Sequence, residues 1–102
     1  MYKKYREYVQ KHIDRRTLLE QLSEECCELG QASLKLIRAE GLSNNPTPIQ
    51  ADEGLDMLKM EFLDLLMCFN VIIGDDYESA SDYNKKWKRW AKRLGYVESE
   101  NG

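Results

Sequence analysis

The chain has 102 residues, 42% of them hydrophobic and 32% charged, with a net charge of −3. That length holds one domain with a core but without generous burial. Residues 1–16 carry six Lys/Arg against Glu7 and Asp14, net +4; residues 17–81 are net −10, residues 82–93 net +5 and residues 94–102 net −2. An acidic middle between basic ends argues against a stable nucleic-acid partner, which needs a net basic face. It suits acids that hold a cation while bases meet an anionic substrate.

No stretch alternates with period two, and helical periodicity dominates. A first helix is expected over about 2–13, with Tyr5, Val9 and Ile13 on one side. A second spans about 16–40, where Leu18, Leu22, Leu29 and Leu36 fall within about 40° of one another. Gly41 ends it. LSNNPTPIQ reads as a loop because its Asn and Pro residues suppress helix. A third helix spans about 50–73 and is closed by Gly74. Its second half, LDLLMCFNVII, is apolar nearly all round and predicts burial on several sides. A fourth spans about 79–94, capped by Ser79 or Ser81, with Trp87, Trp90, Ala91 and Leu94 on one side. The tail over about 97–102 reads as disordered. The expected fold is all-α: a single four-helix, bundle-like domain over 1–102. Four short helices cannot comfortably surround the third, so a homodimer or homotetramer is expected.

Three cysteines, two of them adjacent (Cys26 and Cys27), with no C-x-x-C, make no sensible disulfide framework. The opening MYKKYREY lacks a signal peptide's apolar run, and the longest apolar stretch is broken by Asp64 and Asn70. A reducing cytoplasm and no membrane partner are expected. Cys26 and Cys68 read as small core residues, since soft sulfur suits hard cations poorly.

The chemistry sits in two carboxylate pairs at i, i+3 spacing: Glu25-x-x-Glu28 on the second helix and Glu61-x-x-Asp64 on the third. Glu25 falls about 20° from Leu18 in projection, and Glu28 about 60° further round. Glu61 projects among Leu65, Cys68 and Ile72, and Asp64 between Met57 and Val71. Most glutamates are simply solvated, and Glu20 and Glu40 fit that description. Acids within apolar faces instead require a cation, and the two helices offer only Lys35, Arg38 and Lys59. A four-carboxylate cage for Mg²⁺, or Mn²⁺ in its place, is the more economical reading. Lone His12 has no second histidine for a zinc site, and the Glu-x-x-His of di-iron bundles is absent. No Walker A loop or G-x-S-x-G elbow occurs.

EECCE followed after a loop by EFLD resembles the E-E-x-x-E … E-x-x-D pattern of the MazG-like all-α nucleoside triphosphate pyrophosphohydrolases. That superfamily includes MazG, dimeric dUTPases, dCTP pyrophosphatases and phosphoribosyl-ATP pyrophosphohydrolases. DYNKKWKR in the fourth helix is similar to the family's D-x-N-(K/R)-(K/R) segment, and the resemblance covers about 16–94. The spacing between Glu28 and Glu61 is slightly long for the pattern, which LSNNPTPIQ explains.

The resemblance implies an Mg²⁺-dependent hydrolase that cleaves the α–β phosphate bond of a (d)NTP or related nucleotide. The products would be NMP and pyrophosphate, and the role nucleotide-pool housekeeping. It implies Glu25, Glu28, Glu61 and Asp64 as metal ligands and Asn84 and Lys85 as substrate contacts, with Glu24 matching the motif's first Glu. Glu28 or Glu24 is the expected general base, and Lys88 and Arg89 add positive charge for the phosphates. Tyr5, Tyr8, Phe62, Trp87 and Trp90 offer stacking surfaces but read foremost as core or oligomer interface. The competing reading is a non-enzymatic helical interaction or nucleotide-binding module whose acids line a polar groove.

Overall fold

A computed structural model of the chain describes residues 2–44, 49–74 and 80–99. Four helices form the described residues: α1 (Lys3–His12), α2 (Arg15–Ala39), α3 (Ala51–Ile73) and α4 (Ala80–Arg93), with no strand among them. The chain is thus all-helical, with helix limits close to those the periodicity predicts. Ser79, loop residues 45–48 and tail residues 100–102 lie outside the described residues.

Local chemistry explains the limits. Asp14 starts α2: its carboxylate accepts from Thr17 N–H at 3.3 Å and Thr17 Oγ1 at 2.5 Å. This satisfies an amide that the helix itself leaves unpaired. The expected start at Arg16 falls one residue late because the Asp14 cap lets the helix begin at Arg15. At the other end Gly41 takes φ +75°, with Gly41 N–H donating to Arg38 O and Leu42 N–H to Ile37 O. Gly95, at φ +98°, closes α4 with the same pair of bonds, to Lys92 and Ala91. Both are double-bonded terminations that favour a residue without Cβ.

α2 and α3 run antiparallel and form the body of the subunit. They come close at buried Gly54, where an added Cβ would stand 3.2 Å from Leu36 Cδ1 and 3.5 Å from Ala39 Cβ. α1 lies across α3, held by Gln10 Nε2 donating to Val71 O at 3.0 Å. Leu18 and Ala32 are the buried hydrophobic residues of the core among the described ones, while Leu22, Leu29 and Leu36 are half-buried.

Two expectations fail within the single chain. α4 packs against none of the other helices among the described residues, so the subunit is a three-helix body with a separate fourth helix rather than a four-helix bundle. The radius of gyration is 18.2 Å, against about 13 Å for a compact domain of this length. The second half of α3 is not enclosed either, since Leu63 is 48% and Met67 66% exposed. Two helices can cover only part of a helix that is apolar all round. No described helix is long and apolar enough to cross a membrane.

Candidate metal centre

The antiparallel register of α2 and α3 brings Glu61 opposite the Glu25–Glu28 turn. One carboxylate oxygen from each of the three lies within 4.8 Å of the others. Glu25 is the deepest, only 8% exposed, while Glu61 is half-buried and Glu28 is open to solvent. Gln21, one turn earlier on α2, donates to Glu25 Oε1 at 2.8 Å and orients it. The Oε2 atoms of Glu25 and Glu61 are both buried without a hydrogen-bond partner. No Lys or Arg pairs with any of the three among the described residues.

Like charges at this separation repel. The neighbouring Glu25 charge, partial burial and hydrogen bonding to Glu25 raise Glu28 above the ordinary carboxylate range, with Glu61 adding to the effect. Three crowded carboxylates, two carrying an orphaned buried oxygen, make a fitting donor set for a hard divalent cation. Magnesium–oxygen bonds are about 2.1 Å, so oxygens across an ion stand about 4 Å apart, which three oxygens lying within 4.8 Å of one another can accommodate. Cys68 lies nearby, its thiol pushed up by burial, then by the charges of Glu25 and Asp64. It stays neutral, which makes it a poor ligand for such an ion.

The other sequence candidates lie elsewhere. Asp64 is exposed and outside the three-oxygen group, as is Glu24. Asn84, Lys85, Lys88 and Arg89 are exposed on α4, which does not meet α2 or α3. Three of these, Lys85, Lys88 and Arg89, join Lys92 and Arg93 around an open basic concavity of about 460 Å³. Cys26 is exposed rather than a core residue, because the face of α2 holding Leu18, Glu25 and Ala32 turns it outward. Tyr5, Tyr8, Phe62, Trp87 and Trp90 are each more than half exposed, so none belongs to a core of this chain. The sequence reading missed Gln21, whose signal is an amide one turn before a buried acid.

A largely apolar groove of about 710 Å³ runs between α2 and α3, bounded by Leu29, Leu58, Phe62 and Leu63 together with Ser33 and Lys59. It begins beside the acids: Leu29 follows Glu28, and Leu58 lies one turn before Glu61. No protein family, curated protein or solved structure matches this chain.

Proposed function

We propose that the chain is a divalent-metal-dependent nucleotide pyrophosphohydrolase that cleaves between the α- and β-phosphates of a nucleoside triphosphate. The observation that carries this reading is Glu25: a carboxylate 8% exposed, with one oxygen orphaned, facing Glu28 and Glu61. Glu25, Glu28 and Glu61 would hold Mg²⁺ or Mn²⁺, with Asp64 one turn beyond Glu61 joining through its flexible side chain. When bound, the ion supplies positive charge to the phosphates and acidifies a water.

The remaining chemistry belongs to the chain's own groups. Glu28 is open to solvent and has a raised proton affinity, which suits an acceptor for the proton lost by attacking water. That favours Glu28 over Glu24, which stands outside the cluster. Asn84, Lys85, Lys88 and Arg89 offer donors and charge for phosphate oxygens and for the oxyanion that develops. The unclosed apolar faces of α2 and α3 support work as a homo-oligomer. The same broad apolar surface favours a second reading, a helical interaction module without a site, which would bind no divalent ion.

The test is a panel of ordinary and modified (d)NTPs with Mg²⁺, followed for nucleotide product and pyrophosphate. NMP plus pyrophosphate, lost on chelation, is expected. NDP plus inorganic phosphate would place the cut at the wrong bond. Calorimetric titration with Mg²⁺ or Mn²⁺ separates the module, which would show no heat of binding.

A further inference from the structure

Tyr83, Trp87, Trp90, Ala91 and Leu94 fall within an arc of about 100° around α4. The bases Lys85, Lys86, Lys88, Arg89, Lys92 and Arg93 spread over about 160° of the other side, and none enters the apolar arc. The four large members of that arc are 52–79% exposed. They are nonetheless ordered into a ridge: Trp87 and Trp90 stack with centroids 5.7 Å apart at 14°, and Tyr83 meets Trp87 edge-on at 6.0 Å. No other described helix packs against α4. Contiguous aromatic surface left in water is costly and marks a contact face.

The chemistry of the helix selects what covers that face. Residues 80–93 carry six bases against Asp82, net +5. Lys88 meets Glu98 at 3.3 Å, and the other five bases have no ion pair among the described residues. A nucleic-acid strand needs rings set among the bases, so that stacking and phosphate contacts come from one side. Here rings and charges lie on opposite sides. The groove between α2 and α3 is no better matched, because Lys59 on its rim has the same sign as α4. An anionic bilayer meets both sides of the helix at once. Tryptophan and tyrosine rings settle at the level of the headgroups. Lys86, about 40° from Trp90 in projection, extends its charge to lipid phosphates along its aliphatic stem. The remaining bases lie within the negative potential of the surface.

We propose that α4 lies flat on an anionic phospholipid surface, with Tyr83, Trp87, Trp90 and Leu94 at the boundary between headgroups and acyl chains. This is peripheral attachment and needs no helix that crosses the bilayer. It goes beyond the nucleotide reaction and stands without it, since the acids of α2 and α3 take no part.

Both tryptophans of the chain are on the ridge, so their fluorescence reports on it alone. The experiment titrates the full chain with phosphatidylcholine vesicles, with and without phosphatidylserine, and reads tryptophan emission and cosedimentation. A blue shift and pelleting with phosphatidylserine vesicles are expected. Neither should occur with phosphatidylcholine alone, and raised salt should weaken both. Lys92→Gln/Arg93→Gln leaves the ridge intact and should bind these vesicles about tenfold more weakly or worse. Trp87→Ala/Trp90→Ala should lose pelleting while keeping its helical circular dichroism signal.

A wild-type chain that ignores phosphatidylserine overturns the attachment, as does wild-type affinity in either double variant. Equal binding to phosphatidylcholine alone overturns the role of the bases. Emission that is already blue without lipid, in an oligomer that Trp87→Ala/Trp90→Ala dissociates, means that a second copy covers the ridge and also overturns the proposal. So does a shift produced by a single-stranded oligonucleotide and not by vesicles.

Discussion

Glu25 on α2 and Glu61 on α3 each bury an Oε2 atom that accepts no hydrogen bond, and Glu28 stands between them with its proton affinity raised. A buried acceptor without a donor is destabilising unless a cation or proton arrives. The three acids therefore oppose folding as they stand, and on the proposed reading a divalent ion would relieve that cost.

Glu25→Gln and Glu61→Gln should each abolish Mg²⁺ binding and lower turnover by about 10²-fold or more. Both should keep the helical circular dichroism signal, and in chelator both should melt at or above wild type because a like charge is gone. Asp64→Asn should also lose activity if the exposed Asp64 turns inward to complete the cage. Full activity in any of the three would remove that residue from the site.

The pH dependence follows from Glu28. Its folded pKa lies above the ordinary carboxylate value, so the folded state holds the proton more tightly than the unfolded state. Its contribution to stability is then present at low pH and lost as pH rises through the folded value. In chelator, the wild type should gain stability relative to Glu28→Gln as pH falls from about 7 to 4. Melting curves with a constant difference across that range would contradict the crowding of Glu25, Glu28 and Glu61. With excess Mg²⁺ the trend should reverse, because the ion competes with the proton.

Asp14 works with the opposite sign. Hydrogen bonds from the Thr17 hydroxyl and amide hold its carboxyl below the ordinary range. Its stabilising effect is present above the unfolded value of 3.8 and is lost as pH falls through the lowered folded value. Asp14→Ala should lower the melting temperature at pH 7 and make it less dependent on acid than wild type. An unchanged melting temperature would show that the cap contributes nothing.

Much of the fold is legible in the sequence because helices announce their ends locally. Gly41, Gly74 and Gly95 mark three terminations, all at positive φ. Asp14 carries a cap signal, but the basic Arg15 and Arg16 that follow it are residue types a first turn disfavours, so the pattern alone does not point to it. Gly54 and Ala32 left no trace in the hydrophobic pattern, although they sit where α2 and α3 come close. Small residues matter here by what they leave out, which periodicity does not register.

The site divides in the same way. Spacing puts Glu25 and Glu28 on one side of α2, and apolar neighbours signal that Glu61 turns inward. Asp64 shares the i, i+3 rule with Glu61 yet points to solvent, because a half-covered helix has room for an acid outside. Periodicity finds the apolar side of α4 but says nothing of what covers it, and that is why the four-helix bundle was expected.

Gly54→Leu should therefore be among the most damaging changes to the α2–α3 body. A Cβ there already meets Leu36 Cδ1 at 3.2 Å, and forcing a larger group into such a contact costs about 1–3 kcal/mol. Denaturant unfolding measures this directly. A wild-type midpoint would mean that the helices separate freely at that point.

The scarcity of interior has a consequence for tolerance to mutation. Only Leu18 and Ala32 are buried hydrophobic core residues among those described. In most small proteins, depth below the surface predicts which positions resist substitution. Here that map should be incomplete. Beside the buried Gly54, a saturation screen for folded, soluble chains should find unpermissive sites at Phe62, Leu63, Met67 and Trp90, side chains that a single chain leaves about half in water or more.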